Sequence, residues 1–255
     1  MKCVVVGSAD AFNGAGRGHS CYWVEGLCSR PVMVDFGATA LMGLGQRGLD
    51  PRRLGGIVLT HFHGDHIGGL PFLLIDGIYN RPRNETLTIL GPPGVAEHLD
   101  RLHRACYGDA IDRDRPFLLN YEEIHAGQRR LLLGTEVQAW PAEHGDESGT
   151  ALGLTFHASD GRRVVFSGDT AMTPELLEMS AGADLLVAEC TSFDSEAPGH
   201  CSWVEWRRVL PGLGVKQVLL SHLSSRMRGE LGRLRNEVPS GMDLLFADDG
   251  MVVEF

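Results

Sequence analysis

The 255 residues are 43% hydrophobic and 22% charged, a balance that suits one large domain or two intimately packed halves with a sizeable core, rather than a string of small modules. A net charge of −10, with Arg far commoner than Lys, gives no sign of a broad electrostatic footprint for a long nucleic acid, without excluding one, and leaves room for a local arginine patch. The apolar run Val4-Val5-Val6 is too short for a signal peptide and no later stretch can span a bilayer, so the chain is expected in the cytoplasm, off the membrane.

The first element is a strand at 3–6. A loop follows that is rich in glycine, with Gly14-Ala15-Gly16-Arg17-Gly18 at its centre. A phosphate cradle would need a helix start directly after it. Ser20-Cys21-Tyr22-Trp23-Val24 reads instead as a second strand, so a hairpin-like loop at an active-site rim is expected. Further strands are expected at 31–35, 56–60, 86–90, 136–140, 151–157, 163–167, 184–188, 217–221 and 243–246. Helices are expected at 70–79, 94–106, 174–181 and 202–210. Thr173 with Pro174 is a helix start, and Ser202-Trp203-Val204-Glu205 has capping-box spacing. Short β-branched runs alternating with helical segments define an α/β layered fold.

Cys3, Cys21, Cys28, Cys106, Cys190 and Cys201 are scattered without a C-x-x-C pair, which points to reduced thiols rather than a disulfide framework.

Chemistry concentrates where strands end. Ile57-Val58-Leu59-Thr60 runs into His61, Val137-Gln138-Ala139-Trp140 leads to His144, Val164-Val165-Phe166-Ser167-Gly168 delivers Asp169, and Val218-Leu219-Leu220-Ser221 delivers His222. Loops beyond strand ends carry reactive side chains, so these four are expected to converge on one edge. His61, His63, Asp65 and His66 crowd a single loop. Imidazole and carboxylate donors suit zinc, manganese or ferrous iron, and no cysteine nearby suggests a thiolate site. His19, His98, His103, His125 and His157 lack such company and read as structural or solvated, with His19 on a loop that could reach the site.

The Thr60-His61-Phe62-His63-Gly64-Asp65-His66 segment, His144, the Ser167-Gly168-Asp169-Thr170 turn and Ser221-His222 occur in the order that resembles the metallo-β-lactamase superfamily. The resemblance implies a four-layer αββα sandwich across a single domain, residues 1–255. It implies two divalent ions, zinc first with manganese or iron as alternatives. His61, His63 and His144 would hold one ion, Asp65, His66 and His222 the other, and Asp169 would bridge them, as a two-oxygen carboxylate can. Such a pair, about 3.5–4 Å apart, shares a hydroxide and stabilises an attacked phosphoryl or carbonyl oxygen. Asp65 could also orient the nucleophile through its second oxygen.

Two further segments, Ala188-Glu189-Cys190-Thr191 and Gly199-His200-Cys201-Ser202, are similar to the ribonuclease Z and phosphodiesterase branch. That likeness makes His200 the expected general acid and Glu189 its orienting partner. Gly64-Asp65-His66-Ile67-Gly68-Gly69-Leu70-Pro71 and Ser221-His222-Leu223-Ser224-Ser225-Arg226 also resemble that branch. The chain departs from ribonuclease Z in having only a short strand-turn-strand between His144 and Asp169, where that enzyme commonly inserts a tRNA-gripping arm. A small or nucleotide-like phosphodiester is therefore the expected substrate, with Arg17, Arg81, Arg83, Arg226 and Arg228 as candidate phosphate contacts. The alternatives are a thioester or lactone hydrolase, a tRNA 3′ endonuclease, and a metal-dependent sensor without turnover. A homodimer is the default assembly.

Overall fold

The computed structural model describes residues 1–112, 115–145, 150–194 and 197–255. The first half carries β1 (Lys2–Gly7), β2 (Cys21–Glu25), β3 (Val32–Val34), α1 (Ala40–Gln46), β4 (Gly56–Val58), α2 (Gly64–Ile67), α3 (Leu70–Ile75), β5 (Leu87–Gly91), α4 (Val95–Tyr107) and β6 (Leu119–Glu123). The second carries β7 (Arg129–Leu132), β8 (Thr135–Pro141), β9 (Leu152–His157), β10 (Arg163–Phe166), α5 (Pro174–Ser180), β11 (Leu185–Glu189), α6 (Trp203–Leu213), β12 (Gln217–Ser221), α7 (Ser225–Leu234), β13 (Asp243–Phe246) and β14 (Val252–Glu254). One seven-stranded sheet has the order β14-β1-β2-β3-β4-β5-β6, the other β13-β12-β11-β10-β9-β8-β7.

The side-chain alternation of the strands builds the layers. Val5, Tyr22, Val34 and Val58 from the first sheet meet Val137, Leu154, Phe156, Phe166 and Val187 from the second in an apolar slab between the sheets. The opposite faces of the same strands pack on helices. Trp23, Met33, Ile57 and Ile89 lie against Leu44 of α1, Leu70 of α3 and Leu99 of α4. Val165, Leu186, Val218 and Leu220 lie against Met179 of α5, Trp203 and Trp206 of α6, and Met227 of α7. The order is helix, sheet, sheet, helix, the expected αββα sandwich. Each large apolar side chain fully withdrawn from water contributes about 1.5–3 kcal/mol.

Each sheet has a parallel half: β3 to β6 in the first, β10 to β13 in the second. β8 is antiparallel to β9, which is antiparallel to β10, so β8 runs with the parallel set. The carboxyl ends of β4, β8, β10, β11 and β12 therefore open on one edge, where layered α/β proteins place their ligands.

Thr173 caps α5 by accepting from the Leu176 amide, and Ser202 with Glu205 forms the expected capping box on α6. Six elements lie outside the expected set: α1, α2, α7, β6, β7 and β14; α2, four residues long, falls inside the ligand-rich segment that reads as loop in the sequence. α1 contains Gly43 and Gly45, and α7 contains Gly229 and Gly232, residues of poor helix propensity that blur the apolar period. β6 and β7 are sheet-edge strands with mostly exposed or half-exposed residues, so they lack the buried face that pattern reading detects. Among the described residues no helix is long and apolar enough to cross a membrane.

Candidate metal centre

Beyond β4 the chain turns through His61 and His63 into α2, which carries Asp65 and His66. His144 follows β8, Asp169 follows β10, Glu189 ends β11 and His222 follows β12. Their donor atoms gather. One set is His61, His63 and His144, and a second is Asp65, His66, Asp169 and His222, with the donor atoms of each set within 4.8 Å of one another. Asp169 stands between the sets. Its Oδ2 lies 3.3 Å from His66 Nε2, 3.2 Å from His222 Nε2 and 3.8 Å from His144 Nε2. The turn that delivers it needs glycine at 168: φ is +61°, and a Cβ there would sit 2.6 Å from the Leu152 carbonyl oxygen.

The donor chemistry fits divalent cations. His61 Nε2 is buried without a hydrogen-bond partner, a costly arrangement unless a ligand engages it, and His66 Nε2 faces carboxylate oxygens of Asp65 at 3.2 Å and Asp169 at 3.3 Å. His144 Nδ1 donates to the Gly199 carbonyl at 2.9 Å, which leaves its Nε2 lone pair for the cluster. Burial lowers the His61 and His144 imidazoles below their ordinary value, favouring the neutral form that coordinates metal. In the second set burial also disfavours charge, but the carboxylates win. Asp169 and Asp35 hold His66 well above the usual histidine range, and Asp169 with Asp65 raises His222. Burial works against ionised Asp65 and Asp169 as well, yet the imidazoles around them hold both below the ordinary carboxylate range. The second set thus favours positive charge at its centre.

Two buried carboxylates orient these imidazoles. Asp35, at the end of β3, accepts His66 Nδ1–H at 2.7 Å, the Thr60 amide at 2.8 Å and the Thr60 hydroxyl at 2.8 Å. Thr60 Oγ1 in turn lies 3.0 Å from His61 Nδ1. On the other sheet Glu189 accepts His200 Nδ1–H at 2.9 Å, the Thr170 amide at 2.9 Å and the Thr191 hydroxyl at 2.8 Å. Thr191 Oγ1 lies 2.8 Å from His222 Nδ1. His200 is pushed up to about 9 because Glu189 outweighs the opposing effect of burial. Its ring stacks on His222, with centroids 5.4 Å apart, and meets the His144 ring edge at 4.7 Å.

Every metal-ligand and acid–base candidate from the sequence therefore lies in these linked sets: His61, His63, Asp65, His66, His144, Asp169, Glu189, His200 and His222. Asp35, Thr60 and Thr191 were not among them. Asp35 carried a usable signal, since it is a lone carboxylate closing the apolar run Val32-Met33-Val34. The two threonines carried none beyond proximity to a histidine or a glutamate.

The other histidines divide. His19 is buried, its Nδ1 has no partner, and it feels the charges of Asp65, His66 and His222; it borders the centre without joining either donor set. His103 is buried in α4 with both ring nitrogens unpartnered. The glycine-rich loop does join two antiparallel strands, and Ala9 bridges to both His19 and Leu223, next to His222. Four of the candidate arginines serve the scaffold. Arg17 and Arg228 pair with Asp248, Arg81 pairs with Asp76, and Arg83 donates to the carbonyls of Pro51, Leu54, Glu85 and Thr86.

An αββα sandwich with a His/Asp cluster at the carboxyl edge of its sheets defines the class of hydrolytic metalloproteins built on the metallo-β-lactamase fold. The chain belongs to the β-lactamase superfamily: the model of the β-lactamase superfamily domain matches residues 33–223. Ribonuclease Z of Lactiplantibacillus plantarum is 28% identical over 254 residues, spanning 81% of this chain and 80% of that protein. Human tRNase Z, short form, shares the fold with a TM-score of 0.77 at 21% identity, over 100% of this chain and 99% of that one. Zn(2+)-bound PqqB from Methylobacterium extorquens does so with a TM-score of 0.78 at 16% identity, over the full length of both chains.

Proposed function

We propose that this chain is a two-metal phosphodiesterase acting on a small or nucleotide-like diester, working as one cytoplasmic domain over residues 1–255. His61, His63 and His144 would hold one ion and Asp65, His66 and His222 the other, with Asp169 shared between them. Zinc suits the donor set, as do manganese and iron. A divalent pair bound there supplies Lewis-acid polarisation of the phosphoryl oxygen and a nucleophilic water of lowered pKa.

The observation that carries the reading is the Glu189–His200 pair. An alkoxide leaving phosphorus needs a proton, and a carbonyl hydrolase acting on a thioester does not need one placed this way. His200 Nδ1–H is anchored on Glu189 at 2.9 Å, so its Nε2 is the nitrogen that carries the proton to the departing oxygen. A donor atom of His200 lies within 4.8 Å of those of His144 and Asp169, beside the place where the ester would sit. The Ribonuclease Z relative supports phosphodiester chemistry, whereas size is argued from this chain. Its net charge is −10. Among the described residues only β9 and β10, a tight antiparallel pair, stand as elements between His144 and Asp169.

Bis-p-nitrophenyl phosphate, a thioester and lactone panel, and a precursor tRNA with a 3′ trailer test it on zinc- or manganese-loaded protein. Diester turnover that chelation abolishes and metal restores is the expected result. Exclusive thioester or lactone turnover overturns the phosphodiester assignment, preference for the tRNA overturns the size assignment, and inactivity throughout returns a sensor.

A further inference from the structure

Threonine 191 has no part in the chemistry outlined above, yet its hydroxyl is placed among three functional groups. Oγ1 lies 2.8 Å from Glu189 Oε2, 2.8 Å from His222 Nδ1 and 3.3 Å from His200 Nδ1. A hydroxyl has one proton to give and two lone pairs to offer. Glu189 also receives the amides of Thr170 and Thr191 and the His200 ring N–H, so it acts as acceptor throughout. The single Thr191 proton therefore goes to Glu189 Oε2. What remains for His222 is a lone pair, and only Nδ1–H can complete that contact.

We infer that Thr191 is a positioning residue: its hydroxyl relays Glu189 to His222, fixes the His222 tautomer with hydrogen on Nδ1, and so turns a bare Nε2 toward Asp65 and Asp169. The distances from His222 Nε2 are 3.5 Å to Asp65 Oδ2 and 3.2 Å to Asp169 Oδ2. This rests on the two-metal reading for what Nε2 would hold, but the hydrogen-bond logic is independent of it. The same device appears on the opposite sheet, where Thr60 gives its proton to Asp35 and stands 3.0 Å from His61 Nδ1. On the Glu189 side the relay does one thing more. The carboxylate that holds the His200 proton donor also orients, through Thr191, an imidazole of the second donor set. Donor and cluster are thereby held in a fixed relation by one anchor.

The backbone helps to hold this arrangement. His222 has φ of +57°, an uncommon conformation for a side chain of its size. Its neighbour Leu223 donates its amide to the Ser8 carbonyl. The backbone beside the ring is thus tied to the β1–β2 loop, and the ring itself is held on one nitrogen by Thr191.

The test compares wild type, Thr191→Val and Thr191→Ser in zinc-chelator competition, with circular dichroism and thermal melting as folding controls. Valine keeps the branched shape and removes the hydroxyl, while serine keeps the hydroxyl. Wild type should take up two zinc ions, T191V should weaken one of them by roughly 10–100-fold, the range for loss of an outer hydrogen bond to a ligand histidine, and T191S should stay near wild type. Equal weakening of both ions, no weakening, or T191S behaving as T191V overturns the relay. The His222 tautomer in metal-free wild type, at a pH where the ring is neutral, is read by long-range ¹⁵N imidazole NMR, which decides the matter even if T191V fails to fold. Hydrogen on Nδ1 is expected, and hydrogen on Nε2 overturns the inference. A wild type that binds a single ion sinks the two-metal reading alone, because the tautomer still decides the relay.

Discussion

Asp35 and Glu189 sit on different sheets and build the same device for different ends. Each is a buried carboxylate at a strand end that takes one imidazole directly and a second through a threonine. Asp35 reaches His66 and His61, one from each donor set. Glu189 reaches His222, from the second set only, and His200, which belongs to the proton-transfer side of the proposal. The first sheet thus braces the whole cluster, and the second ties half of it to the acid. Shared geometry with divided partners means that equivalent substitutions should fail in different ways.

The largest effect expected from separating these duties is on turnover. His200→Ala removes the proton donor and leaves the Thr60–His61 and Thr191–His222 contacts in place. Phosphodiester kcat should fall by roughly 10²–10⁴-fold while two ions per chain remain by metal analysis. Unchanged turnover rejects His200 as the acid, and loss of an ion would show that the acid and the cluster are not separable. Next in size is Asp35→Asn. Position 35 has φ of +59°, which asparagine tolerates, so the backbone should survive. The amide has one acceptor oxygen for three donors and leaves buried hydrogen-bonding groups unsatisfied, at about 1–3 kcal/mol each. Both ions should weaken, each by roughly 10–100-fold, which chelator competition reads directly. An asparagine variant that loses only one ion would make Asp35 no broader in reach than Glu189.

How much of this was legible follows the physics of each part. His61, His63, Asp65 and His66 crowd one short segment, and His144, Asp169 and His222 each follow an apolar strand; both signals are local. The sandwich was equally legible, because β4, β10, β11 and β12 are continuous apolar runs and strands buried on both faces read that way. Thr60 and Thr191 were not legible as relays. Their role depends on a partner that folding brings from another strand: the carboxylate Asp35 is 25 positions from Thr60, and the imidazole His222 is 31 from Thr191. The arginines show the converse: four of the five candidates, Arg17, Arg81, Arg83 and Arg228, are engaged by the scaffold. Arg83 looks available in sequence, but folding buries it among backbone carbonyls.

His103 is the control that sharpens the comparison, a buried histidine with neither a carboxylate nor a threonine on its ring nitrogens. Burial holds it down at about 4, whereas it titrates near the ordinary 6.5 when the chain unfolds. Between those values the unfolded chain binds more protons than the folded one, so stability falls as pH falls through that window. The expected loss from this group is about 2 kcal/mol between pH 7 and pH 5. Denaturant unfolding of His103→Phe against wild type at both pH values measures it. The variant should lose less on acidification, and parallel losses would mean that His103 does not stay neutral in the fold.

The smallest expected effect asks whether Glu189 alone holds the acid in place. Ser202 begins α6 two residues after His200. It accepts the Glu205 amide, while Glu205 accepts from the Ser202 amide and hydroxyl. Ser202 also bridges to Ser192, next to Thr191. The helix start therefore ties together the two segments that carry Thr191 and His200. Ser202→Ala removes the cap at a cost of about 1 kcal/mol in stability, measurable by denaturant unfolding. If the carboxylate is the anchor, kcat should be near wild type once the protein is folded and metal-loaded, because both contacts to Glu189 persist. A kcat loss approaching that of His200→Ala, with the ions still bound, would move the anchor from Glu189 to the helix start. The symmetry with Asp35 would then be one of shape alone.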